Sequence, residues 1–107
     1  MTEAEFTDQL LMWAKIFGWR RFHVRGNTRR LIQGDVGFPD LVLVRPPRLI
    51  FAELKVGKNK VAPEQQAWLS DLADCEVEPY GMPGPSAEVF TWRPEDWSQI
   101  LVVLSKR

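Results

Sequence analysis

The sequence has few of the residues that build disulfides and zinc sites. It contains a single cysteine, Cys75, and a single histidine, His23, in 107 residues. One cysteine cannot form a disulfide within the chain, and a structural zinc site normally needs four cysteine or histidine ligands. Disulfide scaffolds and zinc modules are therefore excluded, and any bound metal must be held mainly by oxygen ligands.

Long hydrophobic runs are also missing. No stretch approaches the roughly 20 apolar residues that span a bilayer. The N-terminal residues lack the basic and then apolar layout of a secretory signal. We therefore expect a soluble, cytoplasmic protein, and the length matches one compact domain over residues 1–107.

The net charge is zero, but the charges are unevenly distributed. Residues 1–60 have 11 basic and 6 acidic side chains, and residues 61–107 have 3 and 8, so the two parts carry +5 and −5. Five arginines and no acidic residue lie between Trp19 and Gly34. Such a segment attracts phosphate, although a solvated loop of this composition needs no ligand.

Hydrophobic spacing predicts three helices. Thr2 and Glu5 form a capping-box pattern before an amphipathic helix over residues 3–17. A second helix is expected over residues 63–74, after a proline that suits a first helical turn. A third begins near Pro94. Its apolar residues are Trp97, Ile100, Leu101 and Leu104, and those that are exposed, such as Trp97 or Ile100, serve either the core or contact with another subunit.

Segments rich in β-branched and aromatic residues are predicted as strands. They are residues 19–24, 40–45, 49–56, 76–80 and 88–92. The short interval Pro46-Pro47-Arg48 predicts that the second and third strands form an antiparallel hairpin. Helices interspersed among strands favour an α/β fold with a mixed central sheet flanked by helices.

The second strand of this hairpin combines a carboxylate and an amine. Side chains alternate along a strand, so Glu53 and Lys55 share one face. A loop centred between Pro46 and Pro47, with an even number of residues, places Asp40 directly opposite Glu53, with Cβ atoms about 5 Å apart. Two carboxylates this close repel each other, and a divalent cation between them removes the conflict.

Oxygen ligands of this kind suit Mg²⁺ or Mn²⁺, with the backbone carbonyl of Leu54 as a third ligand. Lys55 would then hold or deprotonate the attacking water and offset phosphate charge. The simpler alternative is an exposed ion pair between Glu53 and Lys55, which is common on strands and contributes little. Charged residues at the centre of a covered sheet are costly, which favours the metal site.

The segments Gly37-Phe-Pro-Asp40 and Ile50-Phe-Ala-Glu-Leu-Lys55 resemble the PD-(D/E)xK nuclease signature. More narrowly, the chain resembles the VRR-NUC family, in the stand-alone form found in phages and bacteria. Further matching segments are Glu3, Gly18-Trp19, Pro63-Glu-Gln65 and Val89-Phe-Thr-Trp-Arg-Pro94.

The resemblance implies a restriction-endonuclease-like αβββαβ core and a Mg²⁺- or Mn²⁺-dependent DNA endonuclease, in the cytoplasm of a bacterial or phage-infected cell. It also implies that Asp40 and Glu53 bind the metal and that Lys55 is the catalytic lysine.

The family also places a glutamate in the first helix and a glutamine in the second, and each has two candidates here. At about 100° per residue, Glu3 projects within about 40° of the apolar stripe, while Glu5 projects away. Gln65 shares the face of Trp68, whereas Gln66 is turned about 100° aside. We therefore place Glu3 and Gln65 in the catalytic set, with helix capping and a loop hydrogen bond as the respective alternatives.

Basic side chains near these segments are expected to contact the DNA backbone rather than the bases. They are Arg25, Arg29, Arg30, Lys58 and Lys60. His23 stays outside the catalytic set.

Cutting two strands with one site per chain predicts a homodimer. By analogy with stand-alone relatives, the preferred substrate is Holliday-junction or other branched DNA. The alternative is a non-catalytic nucleic-acid-binding module.

Overall fold

The computed structural model describes residues 1–24, 33–75 and 87–107. In chain order the elements are helix α1 (Glu3–Ile16), strands β1 (Arg20–His23), β2 (Leu41–Arg45) and β3 (Arg48–Leu54), helix α2 (Pro63–Ala73), strand β4 (Glu88–Trp92), a 3₁₀ turn (Pro94–Asp96) and helix α3 (Trp97–Ser105). The strand predicted over residues 76–80 lies outside the described residues.

The described strands form one mixed sheet in the order β1-β2-β3-β4. The first three are antiparallel neighbours, and β4 lies parallel beside β3. The predicted hairpin and α/β class are thus confirmed, and the sheet with its flanking helices is compatible with a restriction-endonuclease-like core. No helix of the described ranges is long and apolar enough to cross a membrane.

Helix α1 begins where the capping pattern predicts. The Thr2 hydroxyl accepts a hydrogen bond from the Glu5 backbone N–H at 3.1 Å, which satisfies one free donor of the first turn. Phe6, Leu10 and Ala14 recur at helical spacing and are fully buried. The helix ends at Ile16, one residue before the predicted end.

The main core lies on one face of the sheet, between the sheet and helices α1 and α3. Because side chains alternate along β3, Ile50, Ala52 and Leu54 all point to this face, and all are buried. Ile100 and Leu104 of α3 join the same cluster. Ile100 therefore belongs to the core, which decides between the two roles that the sequence left open for it.

Helix α2 contacts β3 and β4. Through Gln65 it reaches Glu53, whose side chain points away from the main core, so α2 covers the other face of the sheet. Five strand ends differ from the predictions by one or two residues. Strand β1 is one residue shorter at each end, β2 begins one residue later, and β3 begins one residue earlier and ends two residues earlier, at Leu54. Trp19, which was predicted within β1, precedes it; its ring is buried, and its indole N–H donates to the Leu104 carbonyl at 2.9 Å.

Candidate metal-binding and catalytic site

The hairpin register brings two carboxylates together. It pairs Leu41 with Ala52 and Arg45 with Arg48, so Pro46-Pro47 forms a two-residue turn. One further step along the same register places Asp40 opposite Glu53, as predicted. Asp40 is fixed there because its Oδ2 accepts a hydrogen bond from the Leu54 backbone N–H at 2.9 Å.

Glu53 is the unusual member of the pair because it is buried, with 1% of its side chain exposed. Its Oε1 accepts a hydrogen bond from Gln65 Nε2 at 2.9 Å and lies 3.6 Å from Lys55 Nζ. Its Oε2 has no hydrogen-bond partner among the described residues. An unpartnered buried carboxylate oxygen costs free energy, so this atom is poised to bind a cation or a proton.

The pKa of Glu53 is raised to about 8, chiefly because the carboxyl group is buried and also because the nearby Asp40 carboxylate repels its charged form. The Lys55 ammonium acts in the opposite direction. Without a cation the site therefore favours a proton on Glu53 at neutral pH. This environment disproves the simpler interpretation of Glu53 and Lys55 as an exposed ion pair.

Lys55 follows Glu53 by two residues and is held at the end of β3. Its backbone N–H donates to the Trp92 carbonyl of the parallel neighbour at 3.0 Å. Its side chain is 16% exposed, so the ammonium group lies beside Glu53 and still reaches the surface. A cation in this position can meet an anionic substrate that approaches the two carboxylates.

The donor set suits a hard divalent cation. Asp40 and Glu53 offer carboxylate oxygens, and the Leu54 carbonyl points to the same side as its N–H, which is bonded to Asp40. Mg²⁺ and Mn²⁺ prefer oxygen ligands and usually keep several waters. The described residues contain no group of three or more histidine, cysteine, aspartate or glutamate side chains placed to hold a metal. A cation bound here would therefore need a backbone carbonyl and waters to complete its coordination.

Gln65 connects helix α2 to this site through both ends of its amide. Ala62, at the N-cap of α2, has no side chain that can cap the helix, and Gln65 Oε1 accepts its backbone N–H at 2.8 Å. With its oxygen used in this way, the amide directs Nε2 at Glu53. Gln66 instead is exposed and bonds Ser70, so the choice of Gln65 over Gln66 agrees with the geometry.

A family model, the VRR-NUC domain, matches residues 14–84 of the 107. This chain belongs to the VRR-NUC family. VRR-NUC is a nuclease domain, so the chain is a nuclease that acts on nucleic acid. No curated protein and no solved structure matches significantly. The matched range includes Asp40, Glu53, Lys55 and Gln65.

Glu3, the other predicted site residue of this VRR-NUC domain, does not join the carboxylates. Its side chain is exposed, and it lies outside the matched range. The buried residues of α1 pack with Ala52 and Leu54, on the face of the sheet opposite Glu53. No described group of side chains joins Glu3 to the carboxylates, so its place in the catalytic set stays a prediction.

The predicted DNA-contacting lysines of the VRR-NUC domain follow strand β3 in the chain. Lys58 and Lys60 are exposed in the connection between β3 and α2, a few residues after Lys55. Arg25, Arg29 and Arg30 lie outside the described residues. His23 pairs with Leu41, next to the Asp40 position, so it points to the face opposite the carboxylates.

Arg93 was not predicted as a site residue, but it supports this connection. Its guanidinium donates to the carbonyls of Gly57 at 3.1 Å and Asn59 at 2.6 Å. These contacts span 36 and 34 residues, so no local pattern could reveal them. Arg93 thereby ties the lysine-bearing turn of the VRR-NUC domain to the end of β4.

Proposed function

We propose that this nuclease is a Mg²⁺- or Mn²⁺-dependent endonuclease that hydrolyses DNA phosphodiesters, with Asp40, Glu53 and Lys55 as its central residues. The observation that carries the proposal is Glu53: a buried carboxylate with an unpartnered oxygen, placed beside a second carboxylate and a lysine. A protein that only binds nucleic acid has no use for this costly arrangement.

In this proposal Asp40, Glu53 and the Leu54 carbonyl hold the cation. When bound, the cation would supply positive charge that offsets the charge of the attacked phosphate. Gln65 keeps Glu53 in place through its hydrogen bond. Lys55 Nζ, 3.6 Å from Glu53 Oε1, holds the attacking water and stabilises the negative charge that develops on phosphorus-bound oxygen.

The reaction is a displacement at phosphorus. The water loses a proton to solvent as its oxygen forms a bond to phosphorus, the bond to the sugar 3′ oxygen breaks, and the departing oxygen takes up a proton from solvent. The products are a 5′-phosphate and a 3′-hydroxyl. One site per chain cuts one strand, so we propose that symmetric cutting of branched or junction DNA uses a homodimer.

Cleavage of labelled four-way junction, fork, duplex and single-stranded DNA tests the proposal. Each substrate is incubated with Mg²⁺, Mn²⁺ or EDTA and with Lys55→Ala or Lys15→Ala protein. Lys15 is an exposed lysine of α1 and serves as the matched control. Metal-dependent cuts that Lys55→Ala loses and Lys15→Ala keeps are expected. Paired symmetric cuts in the junction would support the dimer, and binding without cleavage in any metal would overturn the catalytic proposal.

A further inference from the structure

Helix α2 contacts both segments that carry the site carboxylates. Gln65, in its first turn, donates to Glu53. One turn later, the indole Nε1 of Trp68 donates to the backbone carbonyls of Val36 at 3.1 Å and Asp35 at 3.3 Å. Val36 precedes Asp40 by four residues. The same helix thus reaches Glu53 directly and reaches Asp40 through the segment that leads into β2.

Aromatic packing reinforces this second connection. Phe38 lies edge-on to Trp68, with ring centroids 5.1 Å apart, and edge-on to Phe51, with centroids 6.0 Å apart. Phe51 is on β3, two residues before Glu53 and on the same face. Three rings therefore join α2, the segment before Asp40, and the strand of Glu53. Edge-to-face pairs of this kind favour one orientation of the rings.

Gly37 brings the backbones themselves into contact. It is buried and has φ +100°, a conformation that favours glycine. A Cβ at this position would lie 2.6 Å from the carbonyl carbon and oxygen of Glu64, in the first turn of α2. The segment before Asp40 therefore rests on the helix with no room for a side chain between them.

We propose that Trp68 is a positioning residue that fixes Asp40, so that helix α2 sets the separation of the two carboxylates. The inference rests on the proposed metal-dependent function and extends it to a residue outside the ligand set. Trp68 touches neither carboxylate in the described structure; it acts by holding residues 35–38, which lead into Asp40 and its bond to Leu54.

The test is the affinity of the whole protein for Mn²⁺ alone, measured by the electron paramagnetic resonance signal of free Mn²⁺. Trp68→Phe keeps an aromatic ring against Phe38 but removes the indole donor together with part of the ring system, a loss of volume that a second Trp→Phe variant must match. Trp13→Phe is the matched control, because Trp13 is a half-buried tryptophan of α1 that stacks on Phe17 on the other side of the sheet. Thermal unfolding of each variant is measured in EDTA.

We expect Trp68→Phe to raise the Kd for Mn²⁺ by about 3- to 10-fold, which is the effect of losing one hydrogen bond that helps to position a metal ligand. Trp13→Phe should leave the Kd for Mn²⁺ unchanged, although its Tm should be similar to that of Trp68→Phe. Gly37→Ala, which separates the same segment from α2 while keeping Trp68, should raise the Kd as well. Binding of DNA in EDTA should be unchanged in Trp68→Phe.

Equal Mn²⁺ affinities of the unaltered protein, Trp68→Phe and Trp13→Phe would overturn the positioning role and leave the proposed function standing. Absence of Mn²⁺ binding by the unaltered protein would overturn both. A fall in Tm of Trp68→Phe with no change in Kd would show that the ring only packs.

Discussion

Gln65 Nε2 lies 2.9 Å from Glu53 Oε1, and the other end of the same amide accepts the backbone N–H of Ala62 at 2.8 Å. One side chain thus caps a helix that has no capping residue and orients a buried carboxylate. The two roles are coupled, because the amide oxygen must face the helix terminus for the amide nitrogen to face Glu53.

Replacing Gln65 with alanine should damage both roles. We expect Gln65→Ala to weaken Mn²⁺ binding roughly 10-fold and to lower the free energy of unfolding by about 1 kcal/mol. Titration with Mn²⁺ and urea unfolding measure the two effects. Gln66→Ala, one residue along on the exposed side, should change neither; equal effects of the two variants would contradict the assignment.

Replacing Asp40 with asparagine tests the repulsion between the carboxylates. The amide oxygen can still accept the Leu54 N–H, but the negative charge is gone. The pKa of Glu53 should fall below about 8 and stay above its ordinary value, because burial, the largest cause, remains. Carboxyl ¹³C NMR titration measures this shift. Asp8→Asn, on the exposed side of α1, should leave the pKa unaltered, and Asp40→Asn should abolish Mn²⁺ binding.

The stability of the metal-free protein should depend on pH through Glu53. Its pKa is 4.5 in the unfolded chain and about 8 in the fold, so between these values the folded state binds more protons. Stability therefore falls as the pH rises from about 4.5 to 8 and stays at its lower value above that. Thermal unfolding in EDTA from pH 5.5 to 8.5 measures the effect.

The control for this pH dependence is Glu53→Gln, which is neutral throughout. Its advantage in Tm over the unaltered protein should grow with pH across the same interval and then level off. Parallel Tm curves for the two proteins would show that Glu53 keeps an ordinary pKa.

Lys58 and Lys60 should contribute to DNA binding through phosphate. Each lost phosphate contact reduces the slope of log Kd against log salt by roughly 0.9 on duplex DNA, so Lys58→Ala with Lys60→Ala should reduce it by about 2. Filter binding in EDTA from 50 to 200 mM salt measures the slope. Lys15→Ala should keep the original slope, and an unchanged slope in the double variant would remove both lysines from the interface.

The parts of the site that local rules govern were predictable from the sequence. Asp40 lies opposite Glu53 because side chains alternate and the turn has two residues, and both facts follow from a short stretch of chain. The choice of Gln65 depended on helical periodicity within one helix. These features need no knowledge of how the helices pack on the sheet.

The parts that depend on packing were not predictable. Glu3 was placed by its angle to the apolar stripe, but that angle does not tell which face of the sheet α1 covers. The contacts of Trp68 and Arg93 join segments more than 30 residues apart. The sequence predicted that Glu53 lies in a covered sheet, but its burial beneath Gln65 depends on the position of α2, which the strand sequence does not contain.

The two-residue turn of the hairpin limits how this site can change in evolution. Inserting or deleting one residue between Arg45 and Arg48 would shift the strand pairing by one step and send Asp40 to the opposite face from Glu53. Variation in the length of the turn therefore preserves the pairing only when the turn itself absorbs the change and the register of the strands stays the same. The length of a turn that bears no catalytic group is thus as constrained as the identity of the carboxylates.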